Sequence, residues 1–462
     1  MTKLGIVADD VTGGTTVGAL LARKGAVSTL YYEFEHLDEV ADPAADTVIV
    51  STNSRTQPAR EAFDRVRQTT FALRRLGVSQ FSKRIDTTLR GGIGPEVEGM
   101  LNALEDNYIA VVVPAMPQSK KVVVGGYSLI DSTLLAQTGV AQDVRTPVRE
   151  SYLPKLLQEQ FSEKVGYIPL ETVMGGEHEI ASMMRRMLAD GTRVFVFDSA
   201  TLEQIDDISC AVIRVGRPVV AVDPGPFTVS LALLSGTIVP GAQIAREIRE
   251  NHRWDDEGTV FVVAGSATEV TKSQMKVLTA EPGTKTLLAR PLSLISHDSR
   301  EVKAEMARLV AETQAMYRKH VEQPRVLVLA VDIAITGAPP ATREELESAS
   351  GLEAAEASNL LTRRLGQAAR LVADVVTPKR CSGFYLSGGD TMVKVCQALG
   401  GDGLKLVDYV IPQVDQSVLV GGPYDGIPVV CKGGLTGKPN TAVQAVNRLF
   451  DEHRMMANGL AA

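Results

Sequence analysis

Short apolar runs that alternate with helical segments of about a dozen residues constrain this chain more than any other feature of its sequence. Apolar runs at residues 4–8 and 47–51 are followed by polar turns and then by stretches with helical periodicity. The run at residues 108–114 is followed by residues 122–150, which lack helical periodicity and are predicted to form a strand and an irregular loop, and then by a predicted helix at residues 151–163. The same kind of run recurs at residues 193–198, 218–223, 259–264, 325–331, 384–386 and 427–431. Strands separated by helices of this length form parallel sheets with helices on both faces. We therefore predict an α/β fold with mostly parallel sheets.

The length and the charge distribution predict two domains. A chain of 462 residues is too long for one typical hydrophobic core. The most polar stretch before a fresh strand, residues 247–258, marks the expected boundary. We predict an N-terminal domain over residues 1–245 and a C-terminal domain over residues 256–462.

Composition excludes several classes of partner. The formal net charge of −7 and the lack of a basic tract argue against a nucleic-acid partner. No apolar run approaches the length of about 20 residues that a membrane span needs. The four cysteines are scattered without C-x-x-C spacing, which indicates a reducing compartment and neither a disulfide framework nor a zinc site. Because the N-terminus enters a strand at once, it leaves no room for a signal peptide, and we expect a cytoplasmic protein.

The first apolar run ends at two adjacent carboxylates, Asp9 and Asp10, which precede a glycine- and threonine-rich turn and a helical pattern. Open α/β sheets bind ligands at the carboxyl ends of their parallel strands. Aspartates at such a place can orient sugar hydroxyls, accept a proton or hold a metal ion. The alternative is that Asp10 or Thr12 only caps the helix.

Two further strand ends in the first half present charged groups. Arg55 follows the second apolar run, where its guanidinium fork would match a carboxylate; the alternative is a solvated loop arginine. The next segment crowds cations, a carboxylate and hydroxyls into eight residues, which are unfavourable to bury unless they are paired or bind a ligand. These residues are Lys83, Asp86, Thr87, Thr88 and Arg90, with Gly91, Gly92 and Gly94 beside them and a helix predicted from Pro95 that carries Glu96 and Glu98 in its first turn.

The second half contains turns that suit phosphate. Ser266 follows a strand and precedes a helix, and the sequence S-G-G-D-T at residues 387–391 does the same. Free N–H groups at a helix N-terminus favour an anion. Neither segment is a Walker A motif or the G-x-G-x-x-G dinucleotide fingerprint. Lys432, followed by two glycines, could hold a β- or γ-phosphate; the alternative is a surface turn.

Taken together, these segments resemble the four-carbon acid sugar kinases, a family long catalogued as a domain of unknown function. The motifs that carry the resemblance span nearly the whole chain in the family's order. They are ADDVTGG (8–14), STNSR (51–55), KRIDTTLRGGIGPE (83–96), VVPAMP (112–117), the series Thr138, Asp143, Pro147 and Val148, then GS (265–266), SGGDT (387–391) and KGG (432–434).

The resemblance implies an N-terminal sugar-acid-binding domain and a C-terminal nucleotide-binding domain. It also implies that ATP phosphorylates a four-carbon acid such as threonate, erythronate or 3-oxo-tetronate. Three departures stand out: QSKK (118–121) replaces an expected glycine–arginine pair, DPGPFT (223–228) replaces a small-residue turn, and Thr87 stands where a serine is usual. The first two leave open a different acid or a larger substrate.

The resemblance and the chemistry together predict a substrate site in the first half. Its residues are Asp9, Asp10, Arg55, Lys83, Arg84, Asp86 and Arg90. We expect Arg55, Lys83 and Arg90 to clamp the substrate carboxylate, with Lys83 and Asp86 as the catalytic residues. The proton acceptor is one of Asp9, Asp10 and Asp86, and Asp86 is preferred.

A nucleotide site is predicted in the second half, at Ser266, Gly388, Gly389, Asp390, Thr391, Lys432, Gly433 and Gly434. Mg²⁺ would be held mostly by phosphates and water, with Asp390 as a candidate carboxylate. We expect the active site in a cleft between the domains, whose closure would exclude water, and we expect a homodimer. The main alternative is a non-catalytic sugar-acid sensor on the same fold. A nicotinamide-dependent dehydrogenase is disfavoured because the dinucleotide fingerprint is missing.

Overall fold

A computed structural model describes residues 3–143, 145–241, 258–266, 268–318, 321–331 and 341–457. The chain divides into two compact units, Met1–Gln243 and Ile244–Ala462. The predicted boundary at residues 247–258 lies, except for Gly258, outside the described residues. No described helix combines the length and the apolar character that a membrane crossing requires.

Within its described residues, the first unit contains a parallel eight-stranded sheet in the order β2-β3-β1-β4-β11-β5-β10-β9 and a small antiparallel sheet of β6, β7 and β8. The strands are β1 (Leu4–Ala8), β2 (Ser28–Tyr31), β3 (Thr47–Ser51), β4 (Gln80–Arg84), β5 (Ile109–Val112), β6 (Lys121–Val124), β7 (Tyr127–Ile130), β8 (Thr133–Leu134), β9 (Val165–Ile168), β10 (Val194–Phe197) and β11 (Val219–Asp223).

Helices connect these strands. They are α1 (Val11–Ala22), α2 (Leu37–Val40), α3 (Ala59–Arg75), α4 (Ile93–Ala103), α5 (Leu153–Gln158), α6 (Leu170–Met174), α7 (Glu177–Ala189), α8 (Leu202–Val215) and α9 (Pro226–Leu234).

The core of the first unit lies on both faces of its large sheet. In β10, Val194 and Val196 pack into one buried cluster, whereas Phe195 and Phe197 pack into the other. Successive side chains of a strand point to opposite faces, so a strand covered by helices on both sides is apolar throughout. This burial explains why the sequence shows continuous apolar runs rather than alternation.

The second unit also has a mostly parallel sheet, in the order β13-β14-β12-β15-β18-β17-β16, in which β16 and β17 run antiparallel to their neighbours. Its strands are β12 (Thr259–Ala264), β13 (Thr284–Ala289), β14 (Val326–Val331), β15 (Cys381–Ser387), β16 (Gly403–Ile411), β17 (Val414–Val420) and β18 (Pro428–Lys432). Its described helices are α10 (Glu269–Thr279), α11 (Pro291–Ile295), α12 (Ser299–Met316), α13 (Arg343–Ser350), α14 (Ala354–Val376), α15 (Gly389–Ala398) and α16 (Thr441–Ala457).

The structure confirms the predicted fold class of two α/β units with mostly parallel sheets. It corrects several details. Residues 122–150, predicted as one strand and an irregular loop, form the β6–β8 sheet followed by short 3₁₀ turns. The helix predicted at residues 151–163 is only the short α5, and α4 begins two residues before Pro95.

Close packing of α3 against α4 gives a stability prediction. A Cβ atom at Gly99 of α4 would overlap the carbonyl oxygen of Phe63 in α3. We expect Gly99→Ala to lower the free energy of unfolding by about 1–3 kcal/mol, because the two helix backbones would have to separate. Gly139→Ala is the control, since no described atom lies within 4 Å of the added methyl group. Urea unfolding of both variants measures the effect, and equal stabilities would contradict the proposed close contact.

Candidate active site

The register of three neighbouring strands brings the predicted substrate residues of the first unit together. Strand β1 lies between β3 and β4, and its last residue, Ala8, is paired with Ser51 on one side and Arg84 on the other. The segments that follow these strands therefore emerge at one edge of the sheet, where open α/β sheets bind ligands.

Arg55 is the centre of this edge. Its Nε and Nη2 atoms donate to the two carboxylate oxygens of Asp9 at 2.8 and 3.0 Å, and its Nη1 atom lies 2.7 Å from Oδ2 of Asp10. The Arg55 side chain is only 13% exposed. Burial opposes the charge, but the carboxylates of Asp10, Asp9 and Asp86 outweigh it and raise the pKa of Arg55. Arg55 is therefore a buried, bidentate ion-pair partner and not a solvated loop residue.

Asp10 performs two tasks in the structure. Its Oδ1 atom accepts from the backbone N–H of Gly13 at 2.7 Å, so Asp10 caps α1 as the alternative interpretation had it. It also pairs with Arg55, and its Oδ1 lies 3.5 Å from Nη1 of Arg84. The buried Arg84 guanidinium lies against α1 where Gly13 has no side chain, since a Cβ there would overlap it. Helix capping and charge pairing therefore coincide at one carboxylate.

Asp86 forms a second charged group beside Arg55. Its Oδ2 atom accepts from Nε of Arg90 at 2.7 Å and from the Thr88 hydroxyl, and its Oδ1 lies 3.8 Å from Nη2 of Arg55. Burial alone would raise the pKa of Asp86, but the guanidinium groups of Arg55 and Arg90 outweigh burial and hold the pKa well below its usual range. Arg90 also pairs with Asp143 at 3.1 Å. Asp86 is thus an ionised acceptor at neutral pH.

The environment of Lys83 differs from the one expected of a residue that clamps a substrate. Its side chain is fully buried, and its Nζ atom lies 2.6 Å from Oε2 of the buried Glu96 and 3.0 Å from the carbonyl oxygen of Arg84. A buried ammonium in such a pair is not presented to a ligand. Its environment favours a positioning role over the predicted clamp.

Glu96 is the partner that the sequence analysis interpreted only as a charge near a helix N-terminus. It lies on the buried face of α4, beside Ile93, Val97 and Met100. Glu96 is spaced in the sequence so that it falls on the apolar face of the predicted helix. This spacing could have predicted the pair, because a carboxylate on a buried face needs a buried cation.

The DPGPFT turn uses its polar groups internally. Oδ2 of the buried Asp223 accepts from the backbone N–H groups of Gly225 and Phe227, both at 2.7 Å, and Oδ1 accepts from the Thr228 hydroxyl at 2.5 Å. Burial raises the pKa of Asp223. The DPGPFT segment is therefore a turn that its own aspartate caps at the start of α9.

A cavity of about 640 Å³ adjoins the charged cluster. Arg55, Gly91, Gly92 and residues 145–150 are among its lining residues, and Arg55 is the member of the charged cluster that lines it. Pockets of about 300–1,000 Å³ accommodate drug-sized ligands, so a small acid would fit with room to spare.

Register also gathers the predicted nucleotide residues of the second unit. The last residue of β12, Ala264, is paired with Ser387 of β15, which is in turn paired with Lys432 of β18. Gly388 has a φ of 111°, which side-chain-bearing residues rarely adopt, and it begins the turn into α15. Ser266, Gly388 and Lys432 therefore lie at neighbouring strand ends.

The remaining predicted nucleotide residues surround this edge. Gly389 is the first residue of α15, the exposed Asp390 follows it, and Thr391 is buried. The 433–434 turn approaches Ser266 so closely that a Cβ at Gly434 would lie 2.7 Å from the Ser266 hydroxyl oxygen. The Thr268 hydroxyl donates to the Gly434 carbonyl at 2.6 Å.

Lys432 is buried in a different environment from Lys83. Its Nζ atom donates to the carbonyl oxygen of Gly433 at 2.8 Å and lies 3.4 Å from the Thr271 hydroxyl. Among the described residues, no carboxylate lies within ion-pairing distance of it. Burial lowers the pKa of Lys432 to about 8. An ammonium in this state is suited to a phosphate group.

A cluster of carboxylates and guanidinium groups in one unit and phosphate-type turns in the other suit a kinase that acts on a small anionic substrate. Residues 4–231 match the sugar-binding N-terminal domain, and residues 261–442 match the nucleotide-binding C-terminal domain. A D-erythronate kinase from Heliobacterium modesticaldum is 33% identical over 457 residues, covering 97% of this chain and 98% of its own. A D-threonate kinase from Bordetella bronchiseptica is 28% identical over 450 residues, covering 96% and 97%.

Two solved structures share the fold. A Salmonella typhimurium protein superposes with a TM-score of 0.74 at 21% identity, and a Haemophilus influenzae protein of the DUF1537 family with 0.70 at 20%; each comparison covers 96% of this chain and 99% of the other. The chain belongs to the four-carbon acid sugar kinase family. The predicted class of phosphotransferase is thereby confirmed, and a kinase of this family implies ATP as the donor.

The Lys83–Glu96 pair gives a second stability prediction. We expect Lys83→Met to lower the free energy of unfolding by about 3–5 kcal/mol, because it leaves the Glu96 carboxylate buried without its cation. The double variant Lys83→Met/Glu96→Leu should lose less than Lys83→Met alone, since neither charge remains. Urea unfolding of both variants tests this. A Lys83→Met variant with unchanged stability and a raised KM for the acid would restore the predicted clamp.

Proposed function

We propose that this protein transfers the γ-phosphoryl group of ATP to a hydroxyl of a four-carbon sugar acid, with erythronate, threonate and 3-oxo-tetronate as the substrates to test first. The observation that carries the proposal is the convergence of Asp9, Asp10, Arg55, Arg84 and Asp86 at one sheet edge. The names of the relatives, which match over nearly their full length, support the choice of acid.

In this proposal, Asp86 orients the hydroxyl that attacks and accepts its proton. A carboxylate with a strongly lowered pKa is a weak base, but phosphoryl transfer passes through a loose transition state that needs mainly positioning and charge neutralisation. Asp9 and Asp10 hold Arg55, while Arg55, Arg84 and Arg90 supply the positive field for the acid. Lys83, paired with Glu96, positions the end of β4.

In the second unit, the turn at Ser266, the start of α15 and the 433–434 turn would hold the phosphates. Mg²⁺ is typically bound by substrate phosphates, water and one or two carboxylates. Among the described residues no group of three or more potential ligands forms a ready-made metal site. Asp390 is exposed in the first turn of α15, which suits a single carboxylate ligand. The metal would neutralise charge on the transferred phosphoryl group.

The proposed location is cytoplasmic. All four cysteines, Cys210, Cys381, Cys396 and Cys431, are free thiols. Free thiols are typical of proteins in a reducing compartment.

A coupled assay of ADP release tests the proposed function. We expect release to require both Mg²⁺ and an acid, and to be fastest with four-carbon acids in a panel of four- to six-carbon aldonic acids. Asp86→Asn should lower kcat by about 10²–10⁴-fold without changing the affinity for ATP, because it removes the proton acceptor. Asp131→Asn, on the surface, is the control. Failure of every acid in the panel would refute the function, and an active Asp86→Asn would refute the role of Asp86.

The lowered pKa of Lys432 predicts how ATP binding depends on pH. The free protein loses the Lys432 proton as the pH rises through about 8, so the ammonium that contacts phosphate disappears above that value. The Kd for a non-hydrolysable ATP analogue should rise by up to about tenfold per pH unit between pH 8 and 9.5. In Lys432→Met, binding of the analogue should be weak, and its Kd should be independent of pH over this range.

Titration calorimetry without any acid present isolates this effect. Lys438→Met is the matched control, because Lys438 lies in the loop that follows Lys432 and is exposed. If Lys432→Met keeps the affinity and the pH profile of the wild type, Lys432 does not contact the phosphates.

A further inference from the structure

Lys121 differs from the other cations at the edge of the first unit. Arg55, Arg84, Arg90 and Lys83 each lie within 4 Å of at least one carboxylate oxygen. In the described part of the chain, no such ion pair exists for Lys121, whose Nζ atom donates to the Thr87 hydroxyl. Lys121 is thus an ammonium in the cluster without a bonded counter-ion.

The small sheet holds Lys121 in place. The residue begins β6, and its backbone exchanges two hydrogen bonds with Met116, at 2.8 and 3.3 Å. Further along β6, Val123 exchanges two backbone bonds with Ser199, at 2.9 and 3.0 Å. The side chain therefore extends from a backbone that is fixed on both sides, a pre-organised arrangement that suits ligand binding.

A buried carboxylate fixes the far end of the same sheet. The Asp198 oxygens accept from the backbone N–H groups of Gly125 and Gly126, at 2.7 and 2.9 Å, and from the Tyr167 hydroxyl at 2.9 Å. These bonds connect the β6–β7 turn to the end of β10. The small sheet is therefore tied to the large one at several points.

We propose that the Lys121 ammonium binds the carboxylate of the acid substrate, and that the β6–β8 sheet sets acid specificity by holding this lysine. The inference rests on the proposed function and replaces Lys83 as the lysine of the acid site. It assigns a role to the QSKK segment (118–121), whose last residue is Lys121. A monoanionic carboxylate supplies the counter-ion that Lys121 lacks, through a charge-assisted hydrogen bond.

The surroundings of Lys121 support an anion at this point. Burial is the main reason that the pKa of Lys121 falls to about 8; Asp86 favours the ammonium, whereas Arg84 and Arg90 oppose it. A bound carboxylate would favour the charged form and raise this pKa. Acid affinity of the free protein should therefore decline as the pH rises above about 8.

Direct binding of a four-carbon acid, measured by titration calorimetry without ATP, tests the proposal. We expect Lys121→Met to raise the Kd for erythronate or threonate about 10- to 100-fold, because one charge-assisted hydrogen bond is lost. Lys120→Met is the matched control: its lysine is adjacent in sequence, 72% exposed and paired with Asp131. This control should bind the acid as the wild type does.

The arginine variant supplies a readout that a structural role would not give. Lys121→Arg keeps the charge at every pH below 12 or so. It should therefore bind the acid without the decline above about pH 8 that the wild type shows. It also keeps the test decisive if Lys121→Met does not fold.

The outcomes separate this inference from the proposed function. If the wild type releases ADP with a four-carbon acid but Lys121→Met binds that acid with unchanged affinity, the role of Lys121 is refuted and the function stands. If Lys121→Arg retains the wild-type pH decline, the inference is refuted as well. A wild type that binds no acid and releases no ADP refutes both.

Discussion

The ion pairs of Arg55 are the interaction on which the proposed acid site depends. One guanidinium group contacts Asp9 and Asp10 after β1 and lies near Asp86 after β4, so it connects three strand ends. Removing one partner of a buried ion pair leaves a charge without compensation, which is strongly unfavourable. The cluster therefore fixes the positions of its own loops, and the parallel sheet beneath it supplies the spacing.

Buried and partly buried cations fall into two kinds in the part of the chain that the structure describes. Arg55, Arg84 and Lys83 are held by carboxylates and order the architecture. Lys121 and Lys432 contact hydroxyl or carbonyl oxygens, and burial lowers the pKa of each to about 8. We interpret the paired cations as the groups that order the site, with the arginines also supplying its positive field. The two unpaired lysines are the ones that await an anion, a carboxylate in one unit and a phosphate in the other.

Local patterns predicted the fold well because parallel strands are continuous apolar runs and their turns contain glycine, aspartate and threonine. The strands before Asp9, Arg55 and Ser266 were predicted in this way. The register of the paired strands places Asp9 and Arg55 at one edge of the sheet in the first unit, and Ser266 at a strand end in the second unit. Strands β16 and β17, in the antiparallel part of the sheet, were not predicted because neither is a continuous apolar run. Buried and partly exposed residues alternate in β16, and β17 begins V-D-Q-S, with buried polar side chains.

Pairing between distant residues could not be predicted from local patterns. Lys83 is in β4, and Glu96 lies 13 residues later in the chain, in α4. Whether Lys83 faces a ligand or Glu96 therefore depends on how α4 packs on β4. The hydrogen bond from Lys121 to Thr87 depends on the β6–β8 sheet, which the spacing of residues in the sequence did not predict. Tertiary contacts therefore decide which charged residues are structural and which are available to ligands.

A crystal structure of the protein with a four-carbon acid and a non-hydrolysable ATP analogue tests the central claim most directly. We expect the acid beside Asp86, with its carboxylate on Lys121 and the Arg55–Asp9 pair intact. We expect the analogue's phosphates on Ser266, Gly388 and Lys432. An analogue whose phosphates lie against Asp9 and Arg55, or an acid bound away from Asp86 and Lys121, would contradict it.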